Sequence, residues 1–292
     1  MSKLESVVCN YCGNDNYRIV YIKEGFNIVK CNNCNLVYVN PRLKDEDISN
    51  LYDEDYFKGG GFDKNVEYVK EFVQKCDISD LSDWDISTLK EMAGCKEQGN
   101  ILDIGSGMGL FLYKAKIKGL NTKGLEISPA AAKFSELQKL DVENNSIYGA
   151  KLSSAYFDII SMKEVIEHLP NPKEALSIIY KSLKPKGVLF ITTGNYNCPE
   201  RKIKGADWFY FMPKGHIYIF DPKTIKKYLI DAGFSKVVVT NQGDLLMNFL
   251  LKIGVIDTQR FIPKGIIKRS IFYLTRFINH FISSGMRIYA IK

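Results

Sequence analysis

The sequence lacks several features that would place it outside the class of globular proteins. It contains no run of 18 apolar residues, so no segment is predicted to be a transmembrane helix. The first five residues, Met-Ser-Lys-Leu-Glu, show no hydrophobic export segment, and we therefore expect a cytoplasmic protein. Hydrophobic residues make up 46% of the 292 residues, which is enough for a full buried core.

Cysteine is scarce and its spacing excludes a disulfide framework. The chain has seven cysteines, an odd number, and four of them fall into two tight pairs. The pairs Cys9-x-x-Cys12 and Cys31-x-x-Cys34 are typical of a zinc ribbon, in which each knuckle presents two thiolates to one metal ion. Four protein ligands close the tetrahedral shell, so the predicted zinc is structural.

The most informative segment is residues 101–109, an apolar run that ends in the loop Gly-Ser-Gly-Met-Gly. Glycines at this spacing let the backbone turn sharply and bring its N–H groups close to a ligand. A dinucleotide fingerprint has the spacing G-x-G-x-x-G, but here Leu110 stands in the place of the third fingerprint glycine. Asp103 would also repel a pyrophosphate, and it favours a cationic ligand.

A second acid follows the next predicted strand. Residues 122–126 end in Glu126, whose carboxylate can accept hydrogen bonds from both hydroxyls of a ribose. Together with Asp103, this residue predicts a site for a nucleoside that carries a positive charge and no phosphate.

At these residues the chain resembles the class I S-adenosylmethionine-dependent methyltransferases, over about residues 98–243 plus the final strand. Residues 157–162 are similar to the fourth strand of that family, and residues 164–169 follow it. The resemblance implies S-adenosylmethionine as cofactor and methyl transfer as activity. The implied cofactor residues are Asp103, Gly105, Ser106, Gly107 and Gly109 in the loop, with Glu126 and Ile127 at the ribose and adenine edge. Residues 149–152 lack the acid that many relatives place against the adenine amino group, so that contact stays unassigned.

Alternating strand and helix patterns predict an α/β fold. The predicted strands lie at about 100–105, 122–126, 146–150, 157–161, 187–193, 236–240 and 286–291. The alternation predicts a mostly parallel sheet with helices on both faces. The resemblance implies that this sheet is Rossmann-like and seven-stranded, with six strands parallel and one antiparallel. The predicted domains are a zinc ribbon at 1–43, a linker with N-terminal helices at 44–97, and the methyltransferase domain at 98–292. A helical insertion is predicted at about 244–284, before the last strand.

Methyl transfer requires positioning of the acceptor and, where the acceptor's pKa demands it, a base. His168 lies just after the fourth strand and His216 lies after the fifth. We predict His216 as the base and His168 as the other candidate, although either can instead be a structural histidine that bonds a backbone carbonyl. The aromatic residues 208–211 beside His216 either wall an acceptor pocket or form a buried loop.

Acidic residues are scarce in the C-terminal third. Residues 201–292 hold 16 Lys and Arg against 5 Asp and Glu, whereas residues 1–200 hold 24 against 28, so this third carries the whole net charge of +7. A basic wall would attract a small anionic acceptor, such as a nucleotide sugar or phosphorylated metabolite, methylated on oxygen or carbon. A merely solvated basic surface is the other interpretation.

Three other hypotheses stay open. A ribbon can also bind nucleic acid, which would make the chain an RNA base methyltransferase, but its loops lack the run of Lys and Arg that phosphates require. The chain can also be a non-catalytic cofactor-binding protein. The insertion carries a basic amphipathic pattern, which is typical of a lid, a dimer helix or a peripheral membrane contact. The oligomeric state has no signal in the sequence.

Overall fold

The computed structural model of the chain describes residues 4–52, 56, 68–77, 81–95, 98–242 and 284–292. The strands in these ranges are β1 (Leu4–Glu5), β2 (Tyr17–Lys23), β3 (Phe26–Cys31), β4 (Val37–Val39), β5 (Arg42–Leu43), β6 (Asn100–Ile104), β7 (Asn121–Leu125), β8 (Val142–Glu143), β9 (Phe157–Lys163), β10 (Leu183–Gly194), β11 (Tyr218–Ile219), β12 (Lys236–Gln242) and β13 (Gly285–Ile291). The α-helices are α1 (Asp45–Ser49), α2 (Tyr68–Lys75), α3 (Leu81–Met92), α4 (Leu110–Ile117), α5 (Pro129–Leu137), α6 (Pro172–Ser182), α7 (Pro199–Lys204) and α8 (Pro222–Asp231).

Seven strands form the central sheet in the order β12-β13-β10-β9-β6-β7-β8. Neighbouring strands are parallel except at β13, which runs antiparallel to both β10 and β12. This sheet of six parallel strands and one antiparallel strand confirms the predicted Rossmann-like architecture. The chain leaves β6 toward one edge through β7 and β8 and then returns to the other side of β6 with β9. A crevice at the carboxyl ends of β6 and β9 results.

Alternating side chains of the strands pack against helices on both faces of the sheet. Ile101 of β6 belongs to a buried cluster with Leu89 of α3 and Phe111 of α4. Its neighbour Leu102 belongs to a second cluster with Ile179 of α6, on the opposite face. The two-residue period of a strand therefore divides the apolar residues of 101–104 between two helical layers.

The prediction of a strand at 146–150 is wrong. The third strand of the sheet is β8, which has only two residues, and the segment after it is a turn. In that turn the N–H groups of Gly149 and Ala150 both lie within hydrogen-bond distance of the Ser146 carbonyl. Ile147 is buried in the core from this turn. This short apolar stretch is therefore buried in the core although its backbone is not extended. Hydrophobic periodicity alone cannot distinguish such a buried turn from a strand.

The N-terminal cysteine pairs lie beside a second sheet with the order β11-β4-β3-β2. Its strands pair antiparallel, and the edge strand β11 comes from the C-terminal half of the chain. Tyr218 of β11 pairs with Tyr38, and the Ile217 carbonyl accepts a hydrogen bond from the Val39 N–H at 3.0 Å. The ribbon sheet is therefore completed by the residues that directly follow His216. The domain limits at 43 and 97 stay predictions.

The cysteine end of the ribbon also contacts helices of the larger fold. Asn10 donates from Nδ2 to Asn171 Oδ1 at 3.1 Å and accepts from the Tyr228 hydroxyl at 3.0 Å. Lys173 of α6 donates to the carbonyl of Tyr11. Ribbon side chains and those of α6 and α8 share one hydrophobic cluster.

The described part of residues 44–97, where N-terminal helices were expected, contains the three helices α1, α2 and α3. Phe72 of α2 packs in one cluster with Met108 of the glycine loop and Ala131 of α5. The predicted insertion at 244–284 lies, apart from Ser284, outside the described residues. Among the helices that the structure describes, none combines the length and the apolar character needed to cross a bilayer.

Candidate functional site

The glycine loop connects β6 to α4 and adopts backbone conformations that favour glycine. The φ angles of Gly105, Gly107 and Gly109 are +67°, +52° and +80°. At Gly105 an added Cβ would also lie 2.5 Å from Cγ2 of Val165. The N–H groups of Gly105 and Ser106 donate to the Leu125 carbonyl at 2.8 and 3.1 Å, which ties the loop to the end of β7.

Glu126 lies buried just after β7, beside the loop. Its Oε2 accepts from the Gly107 N–H and its Oε1 accepts from the Ser128 N–H, both at 2.8 Å. Burial raises the pKa of this carboxyl, and the backbone hydrogen bonds partly offset that shift. Each carboxylate oxygen has a second lone pair, so two further donors can be accepted. The next residue, Ile127, is 41% exposed and offers an apolar surface at the same edge.

Asp103 is a carboxyl buried at the end of β6. It is 3% exposed, and the Ser161 hydroxyl of β9 donates to its Oδ1 at 2.7 Å. Burial raises the pKa of Asp103 to about 6, although the Ser161 hydrogen bond and the positive charge of Lys163 act in the opposite direction. A carboxylate held in this environment would be stabilised by a cationic ligand.

Ser106 differs from its neighbours in the loop. Its hydroxyl is buried, has no hydrogen-bond partner among the described residues, and lies close to Gly124 of β7. Its amide is bonded to Leu125. The Ser106 amide therefore helps to tie the loop to the end of β7, and its cofactor role stays a prediction.

The two candidate bases lie next to each other. His168 ends the 3-10 turn Ile166–His168, and His216 precedes β11, with their ring centroids 4.7 Å apart. His216 is 4% exposed, and its Nδ1 lies 2.8 Å from the Tyr210 carbonyl. Because a carbonyl only accepts, Nδ1 carries the proton and Nε2 is left as the basic nitrogen. Burial and the neighbouring His168 lower the pKa of His216 well below its ordinary value, so its imidazole is neutral.

His168 has a different set of partners. Its Nδ1 lies 2.9 Å from the Gly215 carbonyl and 2.9 Å from the Tyr52 hydroxyl. The turn after β9 and the loop before β11 are thus joined through this ring. Tyr52 was not identified from the sequence, because nothing in its local pattern separates it from a packing residue.

Two acids and a tyrosine beside the histidines were also missed. The Tyr210 hydroxyl lies 2.8 Å from Glu164 Oε2 and makes a second, shorter contact with Glu167 Oε1. Burial and the charge of Glu164 raise the pKa of the fully buried Glu167 well above its ordinary value. The available signal was the pattern E-x-x-E-H immediately after the fourth strand. The pattern alone assigns these acids no role, because the sequence does not show that both contact the Tyr210 hydroxyl.

The aromatic loop is mostly buried. Trp208, Tyr210 and Phe211 pack in one cluster with Ile28 and other residues of the ribbon sheet. Phe209 is 55% exposed. Three of the four aromatic residues are thus buried in a cluster that includes the ribbon sheet, in accord with the buried-loop interpretation.

The cysteine pairs converge as the sequence predicts. The Sγ atoms of Cys9, Cys12, Cys31 and Cys34 all lie within 4.8 Å of one another. Cys9 and Cys34 are 3.4 Å apart, and Cys12 and Cys31 are 3.5 Å apart, each measured between Sγ atoms. Tetrahedral zinc at about 2.3 Å from each sulfur would require separations of about 3.8 Å, close to these values.

Comparisons with known proteins show similarity to methyltransferases. A family model described as a methyltransferase domain matches residues 79–239. The chain is 30% identical over 156 residues to a ubiquinone biosynthesis O-methyltransferase of Dechloromonas aromatica (strain RCB), covering 50% of this chain and 65% of that protein. A protein of the same name from Pseudomonas putida (strain W619) is 30% identical over 135 residues, covering 44% and 56%. The match thus spans less than two thirds of either relative.

Solved structures show the same fold. A SAM-dependent methyltransferase from Archaeoglobus fulgidus aligns with a TM-score of 0.52 and 25% identity, covering 77% of this chain and all of that chain. The phosphoethanolamine N-methyltransferase 2 of Haemonchus contortus, solved with S-adenosyl-L-methionine, aligns with a TM-score of 0.53 and 17% identity. The alignment covers 82% of this chain and 59% of the Haemonchus contortus chain.

The buried carboxyl of Asp103 predicts a pH dependence of stability in the protein without bound ligand. Because its folded pKa of about 6 lies above the ordinary value of 3.8, the folded state binds more protons than the unfolded state between these values. The free energy of unfolding therefore falls as pH rises through this window, by about 3 kcal/mol for this group. Asp103→Asn removes the effect, so its stability relative to wild type should rise by that amount between pH 4 and pH 7.

Denaturant unfolding at several pH values measures this difference. Asp141→Asn, a change at an exposed residue, is the matched control, and its stability difference from wild type should stay constant. A difference for Asp103→Asn that does not vary with pH would contradict the assigned environment.

Proposed function

This chain belongs to the methyltransferase-domain family and is an S-adenosylmethionine-dependent methyltransferase, and from that premise we propose that it methylates a hydroxyl oxygen of a small anionic molecule. The observation that carries the proposal is the neutral, buried imidazole of His216, whose Nε2 is available as a base. Support for oxygen as the acceptor atom comes from the relatives named as O-methyltransferases. The positive charge of residues 201–292 supports an anionic acceptor.

The residues at the ends of β6 and β7 suit the cofactor. S-adenosylmethionine supplies a methyl group on a positively charged sulfur, which leaves as a neutral thioether. Asp103 would provide the negative charge for the methionyl part, and the loop at Gly105, Gly107 and Gly109 allows close approach of the backbone. Glu126 retains the lone pairs needed for two ribose hydroxyls, and Ile127 offers its exposed face to the adenine.

The histidine pair provides the proton chemistry. A hydroxyl becomes a competent nucleophile when a base removes its proton as the methyl group is transferred. We assign that role to Nε2 of His216, with Nδ1 kept protonated by the Tyr210 carbonyl. His168 lies against the same ring, so the two imidazoles do not readily carry positive charge together.

We further propose that Cys9, Cys12, Cys31 and Cys34 hold a structural zinc ion. Four thiolates complete its coordination and leave no position for substrate. The ion would cross-link the two cysteine pairs that flank β2 and β3. The strand β4 begins three residues after the second pair. Since β4 pairs with β11, the ribbon supports the loop that carries His216. This placement favours a structural role for the ribbon over recognition of RNA.

The proposed function is tested by a screen for transfer of a labelled methyl group. The acceptor classes are phenols and catechols bearing a carboxylate, nucleotide sugars and short RNAs, each tested with the metal retained. We expect label in a small anionic molecule, at an oxygen identified by mass spectrometry. Label confined to RNA would support the RNA methyltransferase instead, and no transfer to any class would contradict the proposed activity.

His216→Ala tests the base once an acceptor is known. We expect kcat to fall by about 10²- to 10⁴-fold, because proton removal is lost, while the Kd for S-adenosylmethionine stays unchanged. His168→Ala should reduce kcat less. Steady-state kinetics with calorimetric titration of the cofactor measure both quantities, and a kcat equal to wild type in His216→Ala would exclude it as the base.

Metal analysis tests the zinc site. We expect one zinc ion per chain in the wild type and a loss of zinc in Cys12→Ser, together with a lower thermal stability. Cys76→Ser changes a cysteine outside the cluster and should retain the metal. Full zinc content in Cys12→Ser would contradict the assigned ligand set.

A further inference from the structure

We propose that Tyr210 is a positioning residue that fixes the ring of His216 in the tautomer needed by a base. Its carbonyl holds Nδ1 of the imidazole, and its hydroxyl is held in turn by the side chains of Glu164 and Glu167. The proposal deepens the proposed function, because it rests on His216 as the base.

The main chain and ring of Tyr210 both contact His216. The carbonyl lies 2.8 Å from Nδ1, and the two ring centroids are 4.3 Å apart. The chain turns between Tyr210 and His216, and the His216 N–H closes this turn by donating to the Met212 carbonyl at 2.8 Å. The imidazole is therefore bonded at one nitrogen and packed on one face by a single residue, six positions earlier in the chain.

The hydroxyl of Tyr210 anchors this residue to β10 and to the segment that follows β9. It lies 2.8 Å from Glu164 Oε2, in the segment that follows β9, and also contacts Glu167 Oε1. Thr193 Oγ1 of β10 lies 3.1 Å from the same hydroxyl. The ring of Tyr210 lies directly against Gly194, where any side chain would displace it. The position of the Tyr210 carbonyl is thus set from the sheet.

The two carboxyl groups share protons with the phenol. A phenol has one proton and donates it to one acceptor, yet two carboxyl oxygens converge on it. Burial and the nearby Glu164 favour the neutral form of Glu167, so the phenol and the two carboxyl groups form one hydrogen-bonded cluster that shares protons. Burial and both acids also raise the pKa of Tyr210 well above its ordinary value, so the phenol keeps its proton.

The Glu167 carboxyl lies beside the histidine pair. Carboxylate oxygens of Glu167 and ring nitrogens of His168 and His216 lie within 4.8 Å of one another. When His216 accepts a proton from the substrate, the imidazolium forms beside the Glu167 carboxyl, whose oxygen stabilises positive charge in a buried environment. Glu164 reaches the cluster with a φ of +54°, a strained backbone conformation for a residue with a side chain.

The proposal is tested with Tyr210→Phe, which removes the hydroxyl and keeps the ring and the carbonyl. Nitrogen NMR of histidine-labelled protein should show His216 as a single Nδ1–H tautomer in the wild type and as a mixture of tautomers in the variant. We expect kcat to fall by up to about 100-fold, because small displacements of a base have effects of that order. The KM for the acceptor and the Kd for S-adenosylmethionine should not change.

Tyr289→Phe is the matched control, since it removes a buried hydroxyl of β13 on the sheet face covered by α3 and α4. It should retain the single tautomer and the wild-type kcat. If Tyr210→Phe does not fold, Glu164→Gln provides the same test, because it replaces one carboxyl partner of the phenol with an amide.

The NMR measurement requires no methyl acceptor, so it separates the two proposals. An unchanged tautomer in Tyr210→Phe, or in Glu164→Gln, overturns the positioning role. A tautomer mixture supports it, and if His216→Ala then retains full kcat, only the proposed base is overturned.

Discussion

Parallel pairing of β6 with β7 and β9 is the constraint on which the rest of the site depends. In this register Asp103 lies opposite Gly124 and Ser161, so the ends of three strands meet at one edge of the sheet. The glycine loop, Glu126 and the segment from Glu164 to His168 all leave the sheet there. Acidic groups that are far apart in the sequence become neighbours in a buried environment, where each raises the free energy of its neighbour's charged form. In the proposed function a cationic cofactor would relieve this repulsion on one side, and proton sharing with Tyr210 would relieve it on the other.

Much of the sheet and the cofactor edge could be predicted from the sequence because the relevant signals are local. An apolar strand, a glycine loop and an acid at the next strand end all lie within residues 101–126, and the structure places them as expected. The cysteine pairs are equally local, since the spacing C-x-x-C already brings two thiols to one side of a turn. The helix that begins at Pro222 was also predictable, with Asp221 as its N-cap.

The remaining features depend on contacts between distant segments, which periodicity does not report. β8 is only two residues long, so the apolar residues around Ile147 were mistaken for the third strand. The bond between Tyr210 and the two glutamates joins a loop to the end of β9, and no spacing rule encodes it. His168 and His216 were identified separately by their chemistry, but their direct contact follows from the fold. The sequence therefore indicates which residues at this edge can carry the chemistry. It does not indicate the hydrogen bonds and ring contacts that connect them.

The pairing of β11 with β4 has a consequence for how the chain is made. Tyr38 and Tyr218 are neighbours in the ribbon sheet but lie about 180 residues apart. At a synthesis rate of about 5–20 residues per second, the last strand of the ribbon emerges from the ribosome roughly 10–35 seconds after the third. Until then the edge of β4 has no partner and presents the unpaired backbone groups that promote association with other chains. The ribbon is therefore synthesised well before it can complete its hydrogen bonding.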